Sequence, residues 1–368
     1  MNSWLAVVFF FAALVFALIR APEVKPTAFA ASAFGPQSTL PSEFALELLP
    51  PVASSAHASS LTALADGRLA AAWYAGTREG ATDVRIWLST RDANGWSAPR
   101  AIVTRDGVSA ETGAGIRKLG NPVIWSAGAS LHLWYVGVSI GGWSGSSIHH
   151  AVSADEGRSW SKSEKLVTSP FFNVGTLVRA QPLAMMDGGI GLPVYHELFA
   201  RRAEWLRMDR SGRILGKARM NSSAGLQPSV AAIDADRGIA VLRSADRQNG
   251  RVMLSLTDDG GASWRQSAPL PLTNRNSAVA LLRLASGRLL LACNPDRGRN
   301  LLQLFISDDG RTWLPARTVA SDPDPAMEYS YPALLQTRDG RIHLTFTFRR
   351  QTIAHAMFTE AALTESRP

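Results

Sequence analysis

Short runs in which apolar and polar residues alternate recur along most of the chain, each followed by a glycine-bearing turn and a second apolar run. Six such pairs span residues 59–74, 121–135, 181–195, 227–243, 276–292 and 331–347, turning at Gly67, Gly128, Gly188, Gly238, Gly287 and Gly340. Period-two alternation marks a half-buried strand, and glycine supplies the positive φ of a tight turn, so each pair predicts a β-hairpin. The turn glycines lie 61, 60, 50, 49 and 53 residues apart. After each hairpin comes a third strand-like run, such as 83–89 or 251–256, then a turn and a fourth. Four strands repeated six times predict an all-β, six-bladed β-propeller. The sixth repeat ends at its third strand, 352–358, so residues 44–49 are expected to supply the fourth and close the ring from the N-terminal side. A solenoid would not need that closure.

The turn between third and fourth strands carries its own motif. Ser153-Ala154-Asp155-Glu156-Gly157-Arg158-Ser159-Trp160 is matched by residues 257–264, and 306–313 keeps everything after the first position. In the shared Asp-x-Gly-x-Ser/Thr-Trp core the carboxylate accepts turn amides and Gly takes positive φ. The hydroxyl caps the turn and Trp plugs it into the layer below. The first repeat holds a degenerate copy at 91–96, and the third holds Asp209-Arg210-Ser211-Gly212. These octets resemble the Asp-box of sialidase-like β-propellers.

Of the 368 residues 46% are hydrophobic and 18% charged, enough to bury a large core. The net charge of +8 comes from 33 Arg and 5 Lys without basic runs. That distribution gives no reason to expect nucleic acid and suits attraction of anionic glycans. Cys293 stands alone in an apolar run and reads as a buried small hydrophobe. With no Cys/His cluster, neither a metal nor an organic cofactor is expected. Residues 4–19 are unbroken in their apolarity, and Ala28-Phe29-Ala30 offers a small-x-small cleavage site. No Lys or Arg precedes the run, so residues 1–30 are either an export signal or an uncleaved anchor to the inner membrane. Either reading places the protein outside the cytoplasm, periplasmic or secreted. Residues 31–42 read as linker, 43–360 as the propeller and 361–368 as a tail.

Propeller geometry puts the hairpin turns and the Asp-boxes on one face, leaving chemistry to the other. There the inner strands open with His57, Asn121, Gln181, Gln227, Asn276 and Tyr331. The second strands end near Glu79 and Asp83, Tyr195, His196 and Glu197, Arg243, Asn294 and Arg349. The chain resembles the sialidase family over almost all of 43–358, and more closely its bacterial branch of BNR repeat-like, neuraminidase-type domains. Residues 240–244 look like the segment bearing the second Arg of the family's carboxylate-binding triad, at Arg243. Asn294-Pro295 and Arg299-Asn300-Leu301 look like the third, at Arg299. Glu328-Tyr329-Ser330-Tyr331 looks like the segment with the nucleophilic Tyr, which implies Tyr329. The resemblance implies Asp83 as acid/base, with Glu79 competing. Gln227, Asn276, Tyr331, Arg349 and Asn121 are expected to contact substrate.

Two positions depart from the family pattern. Ala56-His57-Ala58-Ser59 stands where the first triad Arg belongs, and Gln227-Pro228-Ser229 where a Glu activates the Tyr. Gln accepts no proton, so Glu197 or His196 is the expected base, and a protonated His57 would replace part of the missing charge. The implied activity is exo-sialidase-type hydrolysis of a terminal acidic sugar. Uronate lyase chemistry using His57 or His196 with a Tyr, and non-catalytic glycan binding, are the alternatives.

Overall fold

A computed structural model describes residues 3–19, 24–30, 40–168, 173–198, 201–220, 225–296 and 298–363. Its strands form six antiparallel sheets in chain order around one axis. The first blade runs Ser55–Ala63, Leu69–Gly76, Arg85–Asp92 and Gly95–Trp96, with Arg100–Thr104 also pairing on its third strand. The sixth runs Tyr329–Gln336, Ile342–Phe348 and Thr352–Phe358. Phe44–Leu48 completes it, Phe44 opposite Phe358 and Leu48 opposite Ala354. The N-terminal strand therefore closes the ring as expected. In the third blade, Thr176–Val178 and Leu183–Ala184 both pair with Ile190–His196, so its inner edge is broken in two.

Six apolar clusters hold the ring, one in each seam between neighbouring blades. The strand Leu69–Gly76 explains how. Alternate side chains point to opposite faces of a sheet, so Ala70, Ala72 and Tyr74 enter the seam with blade two. Leu69, Ala71, Trp73 and Ala75 enter the seam with blade six. A strand buried on both faces reads as continuously apolar. Cys293 lies in the seam between blades four and five, and burial pushes its thiol up to about 12.

The octet turns close as the sequence predicts in blades two and four. Asp155 accepts from the Ser159 amide at 2.8 Å and its hydroxyl at 2.6 Å, and Asp259 bonds Ser263 in the same way. In blade five the aligned Asp308 does not do this; Asp309 accepts from Thr312 and Arg311 instead. That turn is one residue tighter, because Ser307 sits next to Asp308 rather than two residues before it. Arg105–Thr112 form a short helix capped by the Thr104 hydroxyl. At the far end Ala362 and Leu363 are buried against the ring.

Ser3–Ile19 is a helix, and among the described residues no helix is long and apolar enough to cross a membrane.

Candidate functional site

The inner strands share a backbone irregularity that builds the site. Ala58, Asn121, Gln227, Asn276 and Tyr331 have φ of 52°, 40°, 49°, 66° and 55°, although none is glycine. Strand pairing skips at this point in blades one, two, four and six. A non-glycine residue held left-handed costs roughly 1 kcal/mol or more, and such strain persists only where surrounding structure enforces it. Its effect is to swing side chains off the strand. Asn121, Gln227, Asn276 and Tyr331 line one cavity of about 300 Å³, walled also by Glu79, Glu197, Arg243, Arg299 and Arg350.

Within it a continuous hydrogen-bond chain fixes the geometry. Asn121 and Gln227 donate to the Tyr195 hydroxyl at 3.2 and 3.1 Å. Arg243 donates to Gln227 Oε1 and Asn276 Oδ1, each at 2.9 Å, and to the Tyr331 hydroxyl at 3.3 Å. Arg299 donates to the Asn276 carbonyl and to Glu328, and its guanidinium lies 5.5 Å over the Tyr331 ring. Arg350 bridges Glu328 at 2.6 Å and Glu79 at 3.0 Å. Burial would raise the Glu328 carboxyl, but Arg299, the Ser330 hydroxyl and Arg350 around it hold it at about 2. An ionised Glu328 therefore anchors two of the cavity's three central guanidiniums.

Tyr331 is the electrostatic focus. Burial pushes its phenol up, yet Arg243 and Arg299 outweigh that and set it below the ordinary value. Beneath the ring lies Arg179, 4% exposed, with its guanidinium 5.1 Å from the Tyr331 centroid. Arg179 reaches across the axis to the Ser59 and Pro332 carbonyls, its Nε has no partner, and no carboxylate pairs with it among the described residues. Burial lowers it to about 10, so it remains a cation. Glu197 behaves oppositely to Glu328: desolvation raises its carboxyl above the usual range, against the pull of Arg243 and Arg201.

Several expected residues lie elsewhere. Tyr329 does not face the cavity; it packs in the seam between blades five and six, its hydroxyl bonded to Asp322 at 3.3 Å and to Arg349 at 3.1 Å. Arg349 pairs with Asp322 there, while the next residue, Arg350, enters the cavity. The cause is the skip between Ser330 and Ala333, which sends Tyr331 inward. Asp83 is exposed at the rim, and the Thr77 hydroxyl and amide, at 2.6 and 2.9 Å, hold its carboxyl low, which suits an anion rather than an acid.

His57 does not supply the missing charge. Burial drives its pKa well below the ordinary value, and Arg350, Arg299 and Arg179 add to that against Glu328. It packs as a neutral ring 4.3 Å from Tyr331. His196 is occupied by Glu204 at 2.7 Å. Gln181 donates to the Leu61 carbonyl below the cavity, and Asn294 is held by the Leu301 and Tyr329 carbonyls.

Arg350, Arg179 and Glu328 were missed as site residues. Arg179 carried a signal: two residues before the strand-opening position the other repeats have Ser55, Leu119, Gly225, Asn274 and Tyr329, none charged.

A six-bladed ring with guanidinium-rich walls around an axial Tyr defines a propeller of the sialidase-like superfamily. The chain belongs to the family of the BNR repeat-like domain, whose model matches residues 67–344. Solved structures agree in fold. The Hadza microbial sialidase Hz136 superposes with a TM-score of 0.69 at 16% identity, over 84% of this chain and 66% of that one. A protein of unknown function from Dyadobacter fermentans gives 0.70 at 15% identity, over 85% and 97%. The intramolecular trans-sialidase of Ruminococcus gnavus, solved with oseltamivir carboxylate, gives 0.67 at 14% identity, over 88% and 98%. No curated protein matches the sequence.

Proposed function

We propose that this protein is an exported retaining glycoside hydrolase that releases a terminal acidic sugar, sialic acid or a related sugar acid, with Tyr331 as nucleophile. The observation that carries the reading is the Tyr331 hydroxyl, placed on the axis 3.3 Å from Arg243 and held below the ordinary phenol value by two guanidiniums. Arg243, Arg299 and Arg350 grip the substrate carboxylate by charge-assisted hydrogen bonds. As Tyr331 Oη forms its bond to the anomeric carbon, the bond to the leaving oxygen breaks and Glu197 delivers its proton there. Glu79, whose charge acts directly on the phenol, takes the Tyr331 proton. Water then attacks the anomeric carbon of the glycosyl–tyrosine intermediate and gives its proton to Glu197, while the bond to Tyr331 Oη breaks and Glu79 returns its proton to the phenol.

No Glu is needed at position 227 in this scheme, because Arg243, Arg299 and Arg179 stabilise the phenolate electrostatically. The lyase alternative is disfavoured, since both of its His bases, His57 and His196, lie outside the cavity wall. The test is release of methylumbelliferone from sialic, ulosonic and uronic acid glycosides. Turnover with a 3-fluoro sialoside analogue should leave a sugar adduct on Tyr331, detectable by peptide mass. An adduct elsewhere would remove Tyr331 from the role, and binding without turnover of any acidic glycoside would leave only the glycan-binding reading.

A further inference from the structure

Residues 24–30 hold the small-x-small triplet that a signal peptidase would cut, yet they are built into the ring. Phe29 is 1% exposed in the seam between blades three and four, against Met185, Trp205 and Trp264, with its ring 6.0 Å from that of Trp205. Backbone bonds fix both sides: Phe29 N–H to the Ala235 carbonyl at 2.7 Å, Ala30 N–H to Ala184 at 2.9 Å, and Met186 N–H to the Ala28 carbonyl at 2.9 Å.

Blade four is shaped to receive this segment. A Cβ on Gly260 would meet the Thr27 carbonyl at 1.9 Å, and one on Gly238 would crowd the Phe29 ring at 3.0 Å. Conformation alone does not require glycine at 260. The equivalent residue of the blade-two turn is Glu156, which holds φ of 59° against 68° for Gly260. The glycine is needed for the close approach of the segment.

We infer that residues 24–30 are a permanent part of the folded protein, that the chain is not cleaved at Ala30, and that the retained Ser3–Ile19 helix enters a lipid bilayer. Cutting anywhere from Ala30 to Ala33 would strip Phe29 from a packed seam. The helix has no polar face to lie on a membrane surface: Trp4, Val8, Phe9, Phe10, Phe11 and Phe16 are all more than half exposed, in several directions. At about 1.5 Å per residue its 17 residues extend about 25 Å, short of the about 30 Å hydrocarbon layer. The segment docks beside the Gly188 and Asp259 turns and the bend at 233–237 that precedes strand residue Gly238, on the face opposite the Tyr331 cavity. The tether therefore leaves the cavity open away from the lipid. This inference is independent of what the cavity cleaves.

The experiment is expression of the full chain with its own N-terminus in a bacterial host, followed by membrane fractionation and intact mass. The expected result is an uncut chain in the membrane fraction, extracted by non-ionic detergent and not by high salt. A chain beginning after Phe29, or an uncut chain in the soluble fraction, would overturn the inference. In the detergent-solubilised full chain, Phe29→Ser and Gly260→Ala should each lower Tm, the former by roughly 5–10 °C. Phe29→Leu should recover most of that loss. A Phe29→Ser protein as stable as the parent would show that the seam does not hold the segment, and would also overturn it.

Discussion

At the scale of single residues, two tyrosines two positions apart have different fates. Tyr331 stands on the axis among guanidiniums, and Tyr329 is sealed beside Phe348 with Asp322 and Arg349 at its hydroxyl. Tyr331→Phe is expected to cut kcat/KM on an acidic glycoside by roughly 10³-fold or more, while Tyr329→Phe leaves it within a few-fold. Equal losses would mean that the cavity is not the reacting site. Arg179 gives a sharper test. A buried cation without a carboxylate is costly to folding, so Arg179→Met should leave Tm unchanged or raise it. Losing that charge makes the phenolate less stable, so the rise of kcat/KM with pH should move to higher pH, and Arg179→Lys should restore much of it. A large fall in Tm with an unmoved pH profile would make Arg179 a structural plug only.

At the scale of elements, the octet turns and the strand cores titrate or yield in ways the sequence half reveals. Asp309→Ala should lower Tm by roughly 2–4 °C and Asp308→Ala should not, because only Asp309 collects the turn amides. A reversed order would restore the simple alignment. Blades two and six each bury a stacked imidazole pair, His132 with His150 and His343 with His355, the facing nitrogens 3.0 Å apart. Burial holds His132 at about 4 and His150 and His343 at about 3. The unfolded chain takes up these protons below about 6.5, whereas the folded chain does not until about 4 to 3. Stability is therefore greatest above pH 6.5 and falls across the window from 6.5 to about 3, at up to about 1.4 kcal/mol per pH unit for each imidazole. His132→Phe with His150→Leu should flatten part of that slope in urea titrations. An unchanged slope would assign the acid sensitivity to other groups.

At the scale of the whole molecule, closure makes the ring one cooperative unit. Phe44 stacks on Phe358 with centroids 5.9 Å apart and carries the Arg317 guanidinium 4.0 Å above it, tying residues more than 270 positions apart. Phe44→Ala should cost about 2 kcal/mol and shift a single calorimetric transition; a separate early transition would show blade six melting alone. The architecture was legible because its cause is local: hairpin periodicity, turn glycines and a missing fourth strand are written in short stretches of chain. The site was half legible. Arg243, Gln227 and Asn276 could be placed by repeat position, since each follows the period of its own blade, and Arg299 by the resemblance of its segment to the family's third triad Arg. Tyr331 rather than Tyr329, Arg350 rather than Arg349, and Arg179 at all, were decided by the tertiary structure. Period-two alternation assigns side chains to faces only while strand register is unbroken, and the left-handed residue that breaks it is imposed by packing at the axis. Likewise the apolar helix and the cleavage triplet were plain in the sequence, but only the filled seam around Phe29 shows that the triplet belongs to the fold.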